Sequence, residues 1–125
     1  MPENAAKLAI LLIDHGSTRA EANACLPEVT RLVQARVGAR ALVVYAHMEL
    51  AQPDVAHAIH ACKQAGITDL VVHPYMLAPG RHVRESIPAL VQAAAYSGLH
   101  VRMTEPLGAH PALADAVLDR CGMLP

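Results

Sequence analysis

Imidazole carries most of the chemistry this sequence has to offer, with eight histidines against three tyrosines and no Trp or Phe. An imidazole titrates near neutrality, and its neutral ring nitrogen binds borderline divalent metals. Three positions stand out. His15 lies in Asp14-His15-Gly16-Ser17, Glu49 in His47-Met48-Glu49-Leu50, and His82 in the stretch 74–85. Two imidazoles and a carboxylate suit a divalent ion, and they can also accept protons from a ligand that exchanges them for a metal. Each position alone is weak, because a single histidine in a loop more often caps a helix or faces water. The pattern has force only where the fold gathers all three.

The remaining candidates divide by spacing. His47 is two residues before Glu49, on the same side of an extended chain, where it could orient Glu49 or donate to a substrate. His57 and His60 continue through Lys63 as one stripe opposite Val55, Ile59 and Cys62, the pattern of a solvated helix face. His73 is expected at a sheet end, and His100 and His110 in structural roles. Gly16 and Gly80 suit tight turns. Cys25, Cys62 and Cys121 are odd in number and widely spaced, so neither a disulfide framework nor a zinc or iron–sulfur spacing is present; reduced, mostly buried thiols are expected.

The elements that must position these residues follow from hydropathy. Apolar runs at 8–13, 41–46, 69–73 and 100–103 are each followed by a segment of helical period. Their continuous apolarity implies strands buried on both faces, hence a parallel sheet between helices. The expectation is a single α/β domain over residues 1–125: three layers, with an open, doubly wound, mainly parallel four-stranded sheet and helices on both faces. A first helix falls within 20–37, with Thr18 and Glu21 spaced as a capping box and Leu26, Val29, Leu32 and Val33 as its apolar stripe; Pro27 either kinks it or opens a later helix. A second spans 54–64, with Val55, Ile59 and Cys62 inward and Gly66 as its stop. A third starts at a Ser86 cap, with Pro88 in its first turn, and a fourth runs from 110–111 to Gly122. This leaves 74–85 as an unusually long connection. Ligands of open α/β sheets bind outside the carboxyl ends of the strands, which is where the loops bearing His15, Glu49 and His82 must lie.

Composition excludes several classes of function. Hydrophobic residues make up 54% and charged residues 17%, the balance of a globular chain. Ten Lys and Arg against 11 Asp and Glu give a net charge of -1, which argues against a nucleic-acid partner. No apolar run approaches the roughly 20 residues of a membrane span. The first 13 residues fit a secretory leader poorly, so a cytoplasmic location is expected.

Taken together, the motifs resemble the class II sirohydrochlorin chelatases of the short CbiX and SirB type, over nearly the whole chain. The likeness rests on Asp14-His15-Gly16-Ser17, on Glu49-Leu50-Ala51-Gln52-Pro53, on the segment 74–88, which is the most specific, and on Pro106-Leu107-Gly108. Ser86 stands where the family usually has Asp, and His47 where an aromatic residue is common. The histidine-rich tail and cysteine cluster of longer relatives are absent from the sequence.

The resemblance implies a chelatase half-domain that inserts a divalent metal (cobalt, iron or nickel) into sirohydrochlorin, an octacarboxylate tetrapyrrole, in cobalamin- or siroheme-type biosynthesis. The metal is a substrate, and neither a nucleotide nor an iron–sulfur cluster is needed; no Gly-rich phosphate loop ending in Gly-Lys-Ser or Gly-Lys-Thr occurs. By the same resemblance, His15, His82 and Glu49 bind metal and accept protons. Arg19, Arg81 and Arg84 are expected at the rim to hold substrate carboxylates, with acidic residues such as Asp54, Asp69, Asp115 and Asp119 elsewhere and Met48, Met76 and Leu77 as apolar contacts. A homodimer is expected, since class II relatives build their cleft from two such units. Two rivals remain. One is a metal or tetrapyrrole carrier without catalysis. The other is a histidine phosphatase-like enzyme, disfavoured because Asp14 would repel phosphate where those enzymes favour Arg.

Overall fold

The computed structural model describes residues 7–125; residues 1–6, part of the stretch weighed against a leader, lie outside the described residues. Strands β1 (Leu8–Asp14), β2 (Leu42–His47), β3 (Asp69–Pro74) and β4 (His100–Met103) form one sheet in the order β2-β1-β3-β4. All three pairings are parallel. The four apolar runs are therefore the four strands, in the expected α/β architecture. Among the described residues, no helix is long and apolar enough to cross a membrane.

The alternation of a strand sorts two cores. From β1, Ala9, Leu11 and Ile13 join Ala46, Leu70 and Val72 on one face, beneath α3 (Val55–Gln64) and α4 (Arg81–Ala94). Leu12 and Val43 meet Leu26 of α2 (Cys25–Val37) on the other. Val55, Ile59 and Cys62 point inward as their spacing requires, and the Asp54 side chain caps α3 by accepting the His57 N–H. Burial pushes the Cys62 thiol pKa upward.

Several local expectations fail, each for a physical reason. A short helix α1 (Ala20–Asn23) precedes α2, and Pro27 lies in the first turn of α2, where a missing N–H costs little. The Thr18–Glu21 capping box does not form. Instead Asn23 accepts the Ser17 N–H through Oδ1 and donates to the Ser17 carbonyl through Nδ2, while Ser17 Oγ accepts the Arg19 N–H. Leu32 is exposed, and Thr30 is buried in its stead, its hydroxyl donating to the Leu26 carbonyl. Cys25 and Cys121 are exposed rather than buried.

The largest correction concerns α4. It starts at Arg81 with Gly80 as N-cap, so Ser86 lies inside it, donating to the His82 carbonyl, and Pro88 is interior. An interior proline costs about 3 kcal/mol. Val83, Ile87 and Val91 follow at four-residue spacing on the core-facing side, and continuing that stripe through the proline outweighs its cost. The connection after β3 thus shrinks to residues 75–80. Gly80, at φ -70, is a helix cap rather than a tight turn. The last helix, α5 (Pro111–Arg120), begins where expected, with His110 Nδ1 accepting the Ala112 N–H, but it buries no residue.

The Asp54 cap gives the fold a pH signature. The His57 backbone N–H, then the His57 side chain, hold its carboxyl at about 2. A depressed carboxyl contributes its stability in full above its unfolded value near 4 and loses it as pH falls through the folded value. Asp54→Ala is expected to cost about 1 kcal/mol at neutral pH, and urea titrations should show that difference shrinking as pH falls from about 4 toward 2.

Candidate metal and ligand site

The register places three strand ends at one rim. Asp14 pairs with His47 and Ile13 with Pro74, so the residues just beyond β1, β2 and β3 emerge together. The first two loops are laced by main-chain hydrogen bonds: Met48 N–H donates to the Asp14 carbonyl at 2.8 Å, and Glu49 N–H to the His15 carbonyl at 3.2 Å. Gly16 makes that approach possible. It sits at φ +89, and a Cβ there would overlap the Glu49 carbonyl oxygen. Leu50 follows at φ +69, a left-handed conformation that an L-residue holds only under constraint from its neighbours.

The side chains follow from this lacing. His15 Nε2 lies 3.1 Å from Glu49 Oε1, with both groups half exposed. His82, in the first turn of α4, shares with Glu49 an open cleft of about 370 Å³ that Met48, Ser86, Ala89 and Leu90 complete. His15 and Glu49 are thus brought together, and His82 stands on the cleft beside Glu49. Among the described residues, no three His, Cys, Asp or Glu side chains converge closely enough to hold one ion simultaneously. The arrangement provides one donor pair, His15 with Glu49, and a third donor, His82, on the cleft that Glu49 lines, all open to solvent.

The arginines are not free. Arg19 pairs with Glu21 at 3.2 Å, Arg81 with Glu85 at 3.0 Å and Arg84 with Glu105 at 3.1 Å. The expectation that acidic residues lie elsewhere is therefore corrected, because Glu21, Glu85 and Glu105 accompany the guanidinium groups. Met48 lines the cleft, Met76 packs against the core, and Leu77 is exposed beside α5. His57 and His60 are exposed. His73, at the sheet end, lies 2.7 Å from Thr104 Oγ1 through Nδ1, and burial lowers its pKa, with the Glu105 backbone opposing.

Two features escaped the sequence reading. Ser86, Ala89 and Leu90 line the cleft because they follow His82 at helical spacing, a signal readable only once α4 starts at residue 81. His47 turns away from Glu49 and places Nδ1 2.6 Å from Asp14 Oδ1.

Comparison with known proteins gives a consistent result. Residues 9–123 match the family model described as CbiX. The chain is 42% identical over 113 residues to the chloroplastic sirohydrochlorin ferrochelatase of Arabidopsis thaliana, covering 89% of this chain and 50% of that one. A CbiX protein from Marinobacter aquaeolei VT8 superposes with a TM-score of 0.77 at 29% identity, over 92% of this chain and 94% of the other. The sirohydrochlorin chelatase SirB from Bacillus subtilis in complex with cobalt gives a TM-score of 0.82 at 27% identity, over 93% of this chain and 50% of that one. The chain therefore spans about half the length of the Arabidopsis and Bacillus proteins and nearly all of the Marinobacter one.

The loop contact at Gly16 is directly testable. Gly16→Ala adds a methyl group that a backbone carbonyl already occupies, at a φ unfavourable for alanine. Chemical denaturation is expected to register a loss of more than about 1 kcal/mol. A variant as stable as the parent would mean that the loops do not approach as described.

Proposed function

Because the chain belongs to the CbiX family, we propose that it inserts a divalent metal, cobalt or iron, into sirohydrochlorin in the cytoplasm, in tetrapyrrole biosynthesis of the cobalamin or siroheme type. The observation that carries this reading is Glu49, paired with His15 and sharing one cleft with His82, at the carboxyl ends of three parallel strands.

Insertion exchanges one metal dication for two pyrrole N–H protons, so the site must both release an ion and accept protons. Imidazole and carboxylate do both. His15, Glu49 and His82 are solvent-accessible, so an ion held there keeps part of its water shell and is handed over without leaving a dry cage. The protons pass to the same nitrogens and oxygens that the metal vacates, and no nucleotide enters the balance.

Substrate binding fits the paired arginines. Exposed ion pairs are worth only about 0–1 kcal/mol, so Arg19, Arg81 and Arg84 can exchange their glutamate partners for substrate carboxylates at little cost. Met48, on the cleft, supplies apolar contact to the macrocycle, whereas Met76 packs against the core and Leu77 lies in the groove beside α5.

The quaternary proposal rests on α5. This helix buries none of its residues, and beside it an apolar groove of about 600 Å³ runs past Leu77, Leu113, Val117 and Cys121. A second copy would cover that face and double the chain to the length of the longer relatives. Val117→Asp is then expected to convert a dimer to monomer in light scattering; a wild-type monomer with full activity would refute the assembly.

Anaerobic incubation with sirohydrochlorin and cobalt or ferrous ion, followed by absorption spectroscopy, tests the activity. His15→Ala and His82→Ala are expected to lower insertion at least about a hundredfold with folding retained, and Glu49→Gln about tenfold. Arg81→Ala/Arg84→Ala should raise KM, and added salt should do the same to the parent. Metal or tetrapyrrole binding without spectral conversion would instead identify a carrier.

A further inference from the structure

Among the described residues only two polar side chains are buried, Thr30 and His47. Thr30 is satisfied within its own helix. His47, only 2% exposed, is satisfied by Asp14, whose side chain is 20% exposed. The two are register partners, the last pair of β1 and β2. Their place in the strand alternation puts them on the side of Leu12, Val43 and Tyr45, under α2, and Tyr45 meets the His47 ring edge-on. The cleft opens on the opposite side, beside α4.

This pair sits where the loops of the site diverge. His15 follows Asp14 directly, and Glu49 lies two residues beyond His47. His47 N–H donates to the Pro53 carbonyl at 2.8 Å, which ties the far end of the Glu49 loop to the same point. Stability alone does not call for a buried polar pair here, because apolar residues of equal volume commonly serve as well or better. Nor does the His15–Glu49 contact hold itself, since two half-exposed groups gain little from pairing in water. Something behind them must fix the separation of their backbones.

We infer that the hydrogen bond between His47 and Asp14 is a positioning device that locks the ends of β1 and β2 and thereby sets His15 against Glu49. The imidazole Nδ1–H donates to the carboxylate, a short charge-assisted bond whose geometry is stricter than that of a packed apolar pair. His47 touches neither metal nor substrate. It acts through the main-chain bonds from Met48 to Asp14 and from Glu49 to His15. The catalytic consequence rests on the chelatase reading; the mechanical one does not.

Two substitutions separate the hydrogen bond from the ring's volume. His47→Phe keeps a ring and loses the donor, whereas His47→Asn loses the ring and keeps an amide N–H where Nδ1 stood. In the His47→Phe variant, amide hydrogen exchange at Met48 and Glu49 is expected to accelerate about tenfold or more, with the Leu11 and Val72 amides unchanged. The kcat for metal insertion should fall about tenfold while KM for sirohydrochlorin stays within about twofold, and His47→Asn should recover most of both losses. Exchange and kcat within about twofold of the parent in folded His47→Phe would overturn the inference. So would an Asn variant as impaired as Phe, since ring packing would then be the cause. Should His47→Phe not fold, Asp14→Leu, which keeps the volume and loses the acceptor, against Asp14→Asn, which keeps both, tests the same bond. A parent protein that inserts no metal defeats the chelatase reading, and the exchange contrast then decides the positioning role by itself.

Discussion

The parallel register of β1 between β2 and β3 is the constraint on which the rest of the molecule depends. β1 lies between β2 and β3, its two faces pack against α2 and α3, and Ala9, Leu11 and Ile13 are wholly buried. Leu11 and Ile13 each stabilise the fold by about 1.5–3 kcal/mol and Ala9 by less, and a slip of one residue would turn all three toward α2. The core therefore fixes the register. The register in turn sets Asp14 level with His47, so the positions of His15 and Glu49 descend from hydrophobic burial several residues away.

That hierarchy explains what was legible in the sequence. Continuous apolar runs mark strands whatever their period, and all four emerged at nearly their observed limits, although β3 buries only alternate residues and β4 none. The start of α4 was not legible, because Gly80 looked like a turn and Pro88 like a first-turn proline. Both local rules yielded to the stripe of Val83, Ile87 and Val91. Helix propensity and capping are contests of about 1 kcal/mol, whereas a buried face is worth several. The error mattered for the site: His82 stands on a helix, and a helix also presents Ser86, Ala89 and Leu90 to the cleft.

The residues of the candidate site were legible as types and as loops but not as partners. Sequence spacing set His47 beside Glu49; the fold turns it toward Asp14, because strand alternation continues through the last residue of β2 while the chain beyond it bends away. The arginines failed in the same manner. Glu85 is four residues from Arg81 and so readable as a helical pair once the helix is known, but Glu105 reaches Arg84 from beyond β4, a contact that only the tertiary fold creates.

The division of labour between the two sides of the sheet at the carboxyl ends of β1 and β2 bears on how loosely the outer groups can be held. On the side of α2, the polar pair is almost dry and its bond is short. On the cleft side, the His15–Glu49 pair is half exposed and longer. Low surrounding polarity strengthens the first and water weakens the second. A metal-transferring site needs this combination. Donors that must release an ion cannot be rigidified by strong bonds of their own, so their placement has to come from bonds made elsewhere. In the proposed function, the firm pair at Asp14 and His47 supplies order, and the soft pair one step further along the chain remains free to open around an ion, take up a proton and close again.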